Sequence, residues 1–251
     1  MKILFLFIFT INTYAYFDLS FNASGRTYPS AGGEIGLESG YNQLLWGEGN
    51  PKNPLYGFIR PVIKLSSSGV INTAEGRLEF YPVSFLGFVK KYQTVKSDYD
   101  QFSFYDCDDV NCKGLIKRDS TIMKLALGAF GVIALGELEF SQNTYDVDKE
   151  NQPMAEFRFA MLADSKDDDF YRSRYVFAIK HKSGLIGVAS EYAKFSNSKQ
   201  SYNMDLLIYT HTADRSNYTF GIGQFYSTHV AQGLIGVFQM KTNFMKSLAL
   251  F

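Results

Sequence analysis

Residues 171–183, YRSRYVFAIKHKS, alternate so strictly that they restrict the fold more than any other stretch. One set, Tyr171, Ser173, Tyr175, Phe177, Ile179 and His181, is mostly aromatic or apolar. The other, Arg172, Arg174, Val176, Ala178, Lys180 and Lys182, is mostly basic. Successive side chains of a β-strand point to opposite faces, so this stretch predicts a strand with one apolar and one charged face. The pattern recurs. Leu55, Ile59, Ile63 and Leu65 oppose Arg60 and Lys64. Leu78 and Phe80 oppose Glu75, Arg77 and Glu79. Val132, Ala134, Leu138 and Phe140 oppose Glu137, Glu139 and Ser141, and Ala155, Phe157, Phe159 and Met161 oppose Glu156 and Arg158.

Strand-like segments succeed one another with little helical signal between them. They are 17–27, 34–46, 55–65, 73–81, 87–96, 121–130, 132–143, 154–163, 171–183, 185–195, 202–212, 218–228 and 234–245. Gly, Asn, Asp and Ser punctuate the connections, as turns require. Pro61 predicts an irregular or bulged position. Lys90 and Lys91 blur the alternation of their segment, and 97–120 reads as the longest polar connection. Each segment is close to the roughly ten residues that a tilted membrane strand needs. Single-chain bacterial barrels are even-numbered. The thirteen segments therefore predict one misassigned segment or one missing strand. The expectation is an all-β, antiparallel, up-and-down transmembrane barrel of about twelve strands, within a range of roughly 10–14.

Met1–Ala15 pairs a basic Lys2 with an apolar run, Ile3–Phe9, and closes on Thr13-Tyr14-Ala15. This predicts a secretory signal peptide cleaved near Ala15, too short for a spanning helix. Residues 16–251 then form the barrel domain, 251 − 15 = 236 residues. The full chain holds 25 basic and 25 acidic residues, or 24 against 25 without Lys2. That balance disfavours nucleic acid as a partner. Aromatics are 16% of the chain, with 17 Tyr and 23 Phe, a surplus suited to strands and to the aromatic girdles of a membrane barrel.

Signal peptide, two-faced strands and terminal Phe251 together resemble the porin-like outer-membrane β-barrel proteins of Gram-negative bacteria as a class. The resemblance implies an outer-membrane location among lipid and lipopolysaccharide, and recognition of Phe251 by the barrel-insertion machinery. The chain departs from the usual pattern in the consecutive Leu248, Ala249 and Leu250.

For such a barrel, Arg60, Lys64, Glu75, Arg77, Glu79, Glu137, Glu139, Glu156, Arg158, Arg172, Arg174 and Lys180 are the expected lumen-lining residues. Three cations facing lipid on one strand would be prohibitively costly. Glu156, on the preceding strand, is the expected partner of the arginines of 171–183, with Glu137 or Glu139 nearby. Mixed charges inside suit a narrow or partly obstructed channel.

Cys107 and Cys112 predict a small loop disulfide in an oxidising compartment. Asp106, Asp108, Asp109 and Asn111 around them offer calcium-type oxygen ligands, but the spacing is not that of an EF-hand. A stapled, solvated loop is the simpler reading, and no metal or cofactor is expected. His211, with Asn203, Asp205 and Tyr209, suggests the lumen face. His229 lies near a turn, and the three histidines lack metal-ligand spacing.

His181 and Ser183 are similar to the His-x-Ser pair of two outer-membrane lipid hydrolases, the phospholipase A and the lipid A deacylase. Residues two apart share a face, so the imidazole could take the serine proton beside an acyl chain. Gly184 stands where those families have Asn, and an orienting third residue is not evident; Glu191 and Asn197 are guesses. Three readings therefore stand: a structural or porin-like barrel without catalysis, a lipid hydrolase using His181 and Ser183, and a secreted soluble β-protein that binds a ligand. Solute and oligomeric state are not encoded in any motif.

Overall fold

A computed structural model describes residues 15–49, 55–100, 104–147, 149, 152–164 and 166–245. The expected signal peptide, ahead of Ala15, and the terminal Phe251 lie outside the described residues. Twelve strands close into one antiparallel barrel: β1 (Ala15–Arg26), β2 (Gly32–Trp46), β3 (Gly57–Ser67), β4 (Ile71–Val83), β5 (Leu86–Ser97), β6 (Gly114–Ala129), β7 (Val132–Asp146), then β10 (Asp167–His181), β11 (Gly184–Phe195), β12 (Ser201–Ala213), β13 (Ser216–Ser227) and β14 (Gly233–Asn243). β14 pairs with β1, so the barrel itself has no open edge. Between β7 and β10 the chain forms a separate short hairpin, β8 (Met154–Glu156) and β9 (Met161–Ala163).

This hairpin corrects the segment count. Residues 154–163 alternate, yet they are not a wall strand. Met154, Ala155, Ala160, Met161 and Ala163 show no exposed surface, and Glu156, Phe157 and Phe159 are buried too. Polarity alternation distinguishes two faces only where they meet different surroundings, and this hairpin is enclosed on both. The wall lost one expected strand and keeps an even number. β6 starts earlier than expected, at Gly114, because its polar start lies beyond the apolar belt.

The outward faces form that belt. Ile63, Ile179, Leu207 and Ile222 are each 63–66% exposed, among many large apolar neighbours around the barrel. A soluble monomer rarely leaves so continuous an apolar surface in water, whereas a barrel in lipid requires one. Arg172, Arg174 and Lys180 occupy the inner face of β10, and Tyr175, Phe177 and Ile179 the outer. The two lysines that blurred β5 separate cleanly: Lys91 reaches Glu139 inside at 2.5 Å, and Lys90 pairs with Asp119 outside. Pro61 produces no bulge. Its register with β4 is continuous, it faces outward, and the register shift of β2 lies instead at Leu44/Trp46.

The two ends differ. Connections 84–85, 130–131, 182–183 and 214–215 are tight turns at one end, which also carries the longer 47–56 connection, the start of β1 and the end of β14. The other end carries the long 98–113 and 147–166 segments. Outer-membrane barrels show this asymmetry, with short periplasmic turns and long external loops. Replacing Phe177 by Arg should cost about 2–4 kcal/mol of folding free energy in bilayers if it meets mid-membrane lipid. Urea titration in lipid vesicles measures this, and an unchanged midpoint would contradict the outward placement.

Candidate functional site

The lumen is occupied. At the loop end, the β8–β9 hairpin folds inward and packs against Ile116, Tyr145, Phe170, Ala193, Phe195, Tyr202, Leu206, Phe225 and Ile235 of the surrounding wall. Phe159 is its central ring. It stacks on Phe170 at 5.1 Å and on Tyr202 at 5.0 Å between centroids, with interplanar angles of 25° and 20°. Ala193, on the intervening β11, pairs with Arg172 and Tyr202, and its small side chain leaves room between the two rings.

Polar contacts fix the hairpin on several sides. Arg118 of β6 holds the Glu156 carboxylate at 2.6 Å, and its Nε donates to Asn143 at 2.8 Å. Arg158, at the hairpin turn, reaches Glu34 of β2 at 3.3 Å. Arg26 of β1 donates to the carbonyls of Arg158 and Phe157, and Ser227 of β13 donates to the Ala160 carbonyl at 2.8 Å. Ala160 has φ of 50°, a left-handed conformation costing a non-glycine residue about 1–2 kcal/mol, which these contacts offset.

The disulfide loop latches the hairpin from outside. Cys107 and Cys112 are bonded. Between them, Asn111 uses nearly all of its polar atoms. Its N–H donates to the Pro153 carbonyl, its carbonyl accepts from Ala155, its side-chain amide donates to the Lys149 and Gln152 carbonyls, and its side-chain oxygen accepts from the Lys149 N–H. Asn111 is thus a backbone clamp, not a free ligand oxygen. Among the described residues no cluster of His, Cys, Asp and Glu is arranged to hold a metal. Tyr105 donates to the Met161 carbonyl at 2.8 Å and the Glu156 carbonyl at 3.2 Å. Burial, reinforced by the Glu156 charge, raises its hydroxyl pKa well above the usual value and keeps it a donor. His229 stacks on Tyr105 at 4.8 Å and its Nε2 meets the Phe104 carbonyl, so it belongs to the same latch.

Below the hairpin, one side of the lumen is filled by ion pairs. Arg60 contacts Asp18 at 2.6 Å, Glu38 at 2.9 Å and Glu79 at 3.1 Å, all four side chains being at most 7% exposed. Arg77 contacts Glu38, Glu75 and Glu79 at 2.6–2.7 Å. Arg172 contacts Glu137 at 2.5 Å and Glu139 at 2.8 Å. Stacked Tyr56, Phe58 and Tyr81, with Leu44, close this side near the short turns. The other side is more open: Arg174 is 47% exposed and lies 3.8 Å from Glu191, and Lys180 faces inward near the 182–183 turn. Lys64 lines a small internal cavity with Glu34, Asn22 and Gln239.

Three expected relations change. Glu156 and Arg158 lie within the barrel, on the hairpin and not on a wall strand. Glu156 serves Arg118, while the arginines of β10 use Glu137, Glu139 and Glu191. His211, Asn203, Asp205 and Tyr209 face outward, because Leu207, between them in the alternation, is 65% exposed and Leu206 is buried. Asp18, Glu38, Lys91 and Arg118 are central residues that polarity alternation alone did not single out. Their signal was present but weak, an isolated charge two residues from small or apolar inward neighbours.

His181 Nδ1 and Ser183 Oγ are 3.1 Å apart at the exposed β10–β11 turn. Among the described residues no carboxylate hydrogen-bonds the imidazole. Glu191 instead accepts from Tyr202, and Asn197 donates to Asp167 and Asp168 at the opposite end of the barrel.

A closed, even-numbered antiparallel barrel with an external apolar belt and a charged interior places the fold in the outer-membrane β-barrel class. Among solved structures, the chain is similar to the β domain of the Bordetella autotransporter BrkA, with a TM-score of 0.45, 8% identity, and coverage of 91% of this chain and 98% of that one. It is similar also to the translocator domain of the autotransporter NalP from Neisseria meningitidis, with a TM-score of 0.41, 8% identity, and coverage of 91% and 88%. No protein-family model matches the chain, and no curated protein matches it.

Proposed function

We propose that the protein is an integral outer-membrane barrel that stands closed and passes small solutes only when its internal hairpin leaves the lumen. It reaches that membrane after removal of a signal peptide near Ala15, with Phe251 read by the insertion machinery, and sits among phospholipid and lipopolysaccharide. The long-loop end faces outward from the cell. The observation that carries the reading is the burial of residues 154–163 inside a ring of wall residues. Fractionation tests the membrane part: the mature chain should sediment with outer membranes and migrate differently before and after heating. Recovery as a soluble periplasmic monomer would remove it.

The His181–Ser183 contact favours a second reading, lipid ester hydrolysis at the membrane surface. Detergent-folded protein should then release fatty acid from phospholipid or lipid A, and Ser183→Ala should abolish the release. No release from the wild type with or without calcium removes it.

A further inference from the structure

We infer that a furrow on the outer wall, over β11 and β12, binds a phosphorylated N-acyl lipid of the lipid A kind, with Asp205 as the residue that selects it. The inference goes beyond passage through the lumen. It rests on the reading of a membrane barrel whose long-loop end faces outward.

The furrow has a volume of about 560 Å³. The short side chains of Ser190 and Val188 on β11 floor it, between Tyr175 and Phe177 of β10 on one side and Ile222 of β13 on the other. Its outward residues fall into cross-strand rows. Phe177, Val188, Leu207 and Ile222 are register partners and form an apolar row. Two residues nearer the loop end, Ser190, Asp205 and Gln224 form a polar row. Tyr192, Asn203 and Tyr226 form the next, and Lys194 follows on the same face of β11, exposed. Successive rows lie roughly 6.6 Å apart along the strands.

Tyr192 and Tyr226 stand where an interfacial aromatic girdle belongs, so Asp205 lies one row inside it, against lipid. Asp205 accepts from the Asn203 side chain at 2.8 Å, and among the described residues no cation pairs with it. A carboxylate facing hydrocarbon is costly unless it receives further donors. The furrow opens within the apolar belt, so its occupant is lipid, and the order of the rows states which lipid. With acyl chains on the apolar row, the group level with Asp205 is the linkage between chain and headgroup. An ester linkage carries only acceptors and leaves the carboxylate unsatisfied. An amide linkage, or a hydroxyl on the acyl chain, donates to it. Gln232 donates to the Gln224 side-chain oxygen at 2.9 Å, which leaves the Gln224 amide NH2 to meet the linkage carbonyl. Lys194, nearer the loop end, suits a phosphate on the headgroup. Lipid A carries these groups in that order.

Purified lipid A is the probe, and phosphatidylglycerol, phosphorylated but ester-linked, is the comparison. The mature barrel, folded in detergent and checked by heat-modifiable migration, should bind lipid A saturably and more tightly than phosphatidylglycerol. Asp205→Leu suits a lipid-facing position and should fold. It should weaken lipid A binding at least about tenfold, the scale of one lost charge-assisted hydrogen bond, and leave phosphatidylglycerol unchanged. Ser190→Trp, which fills the floor, should weaken lipid A binding as much. Lys194→Gln should weaken lipid A but not its dephosphorylated form. Lipid A bound no more tightly than phosphatidylglycerol, or equally by wild type and Asp205→Leu, overturns the inference. So does a dimer that Ser190→Trp dissociates, which would make the furrow an interface between copies. Binding is read without current or cells, so its failure leaves the membrane reading standing. Conversely, Lys199→Cys at the loop end should react with an impermeant maleimide on intact cells, and protection there sinks only the outward orientation.

Discussion

Replacing residues 154–163 by a short Gly-Ser linker should turn a silent barrel into a conducting one. In planar bilayers the wild type is expected to show only rare, brief openings, and the hairpin-less variant a steady current at least about tenfold larger on average. The expectation follows from the packing. The hairpin touches β1, β2, β6, β10, β12 and β13 by hydrogen bond, ion pair or ring stacking, so it obstructs the loop-end half of the lumen across its width. The ion-paired side beneath it remains filled, and the open route runs along the side where Arg174 meets water. Charge reversal at Arg174 in the hairpin-less barrel should therefore shift selectivity towards cations, whereas Phe177→Leu should not. Equal current with and without the hairpin would show that it is not the obstruction.

The largest stability effect is expected at Arg60. Arg60→Met leaves Asp18, Glu38 and Glu79 buried around an apolar side chain. Removing one partner from a buried ionic cluster costs about 3–5 kcal/mol, because the remaining charges lose compensation without regaining water. Urea unfolding in lipid vesicles should register a loss of that size. Adding Asp18→Asn should recover part of it, since Glu38 and Glu79 keep Arg77 while Asp18 is the carboxylate that loses its cation. A loss no larger than that of an exposed substitution such as Lys96→Met would show that the network does not hold the wall together.

The barrel was legible because its two environments differ so sharply. Each wall strand separates lipid from a charged lumen, and Arg172, Arg174 and Lys180 against Tyr175, Phe177 and Ile179 record that in plain alternation. Legibility failed wherever the two sides of the chain meet similar surroundings. Residues 154–163 are enclosed on both faces except at the turn residue Arg158, so Glu156 and Arg158 looked like the inner face of a wall strand. At the strand ends the outward side is polar as well, which hid the first turns of β6 and reversed the face assigned to His211.

The candidate site was legible only as a set of inward charges. Which carboxylate serves which cation depends on register, and register places Glu139 of β7 opposite Arg172 and Glu191 of β11 opposite Arg174. No local pattern announces that pairing, nor that Phe159 would sit between Phe170 and Tyr202. Those relations arise from segments far apart in the chain meeting in one lumen. The disulfide was readable from spacing and compartment; its role as a clamp on the hairpin through Asn111 was not.

Single-cysteine accessibility in native outer membranes tests the central claim, a membrane barrel with its charges inside, most directly. The protein's own two cysteines are bonded to each other and should not compete for label. Cysteines placed at Arg174 and Phe177 are three residues apart but on opposite faces of β10. A small water-soluble maleimide should label position 174 and leave 177 untouched, and a lipid-soluble maleimide should label 177. Aqueous labelling of 177 with protection of 174 would contradict the account, because it would put the apolar belt in water and the charges in lipid.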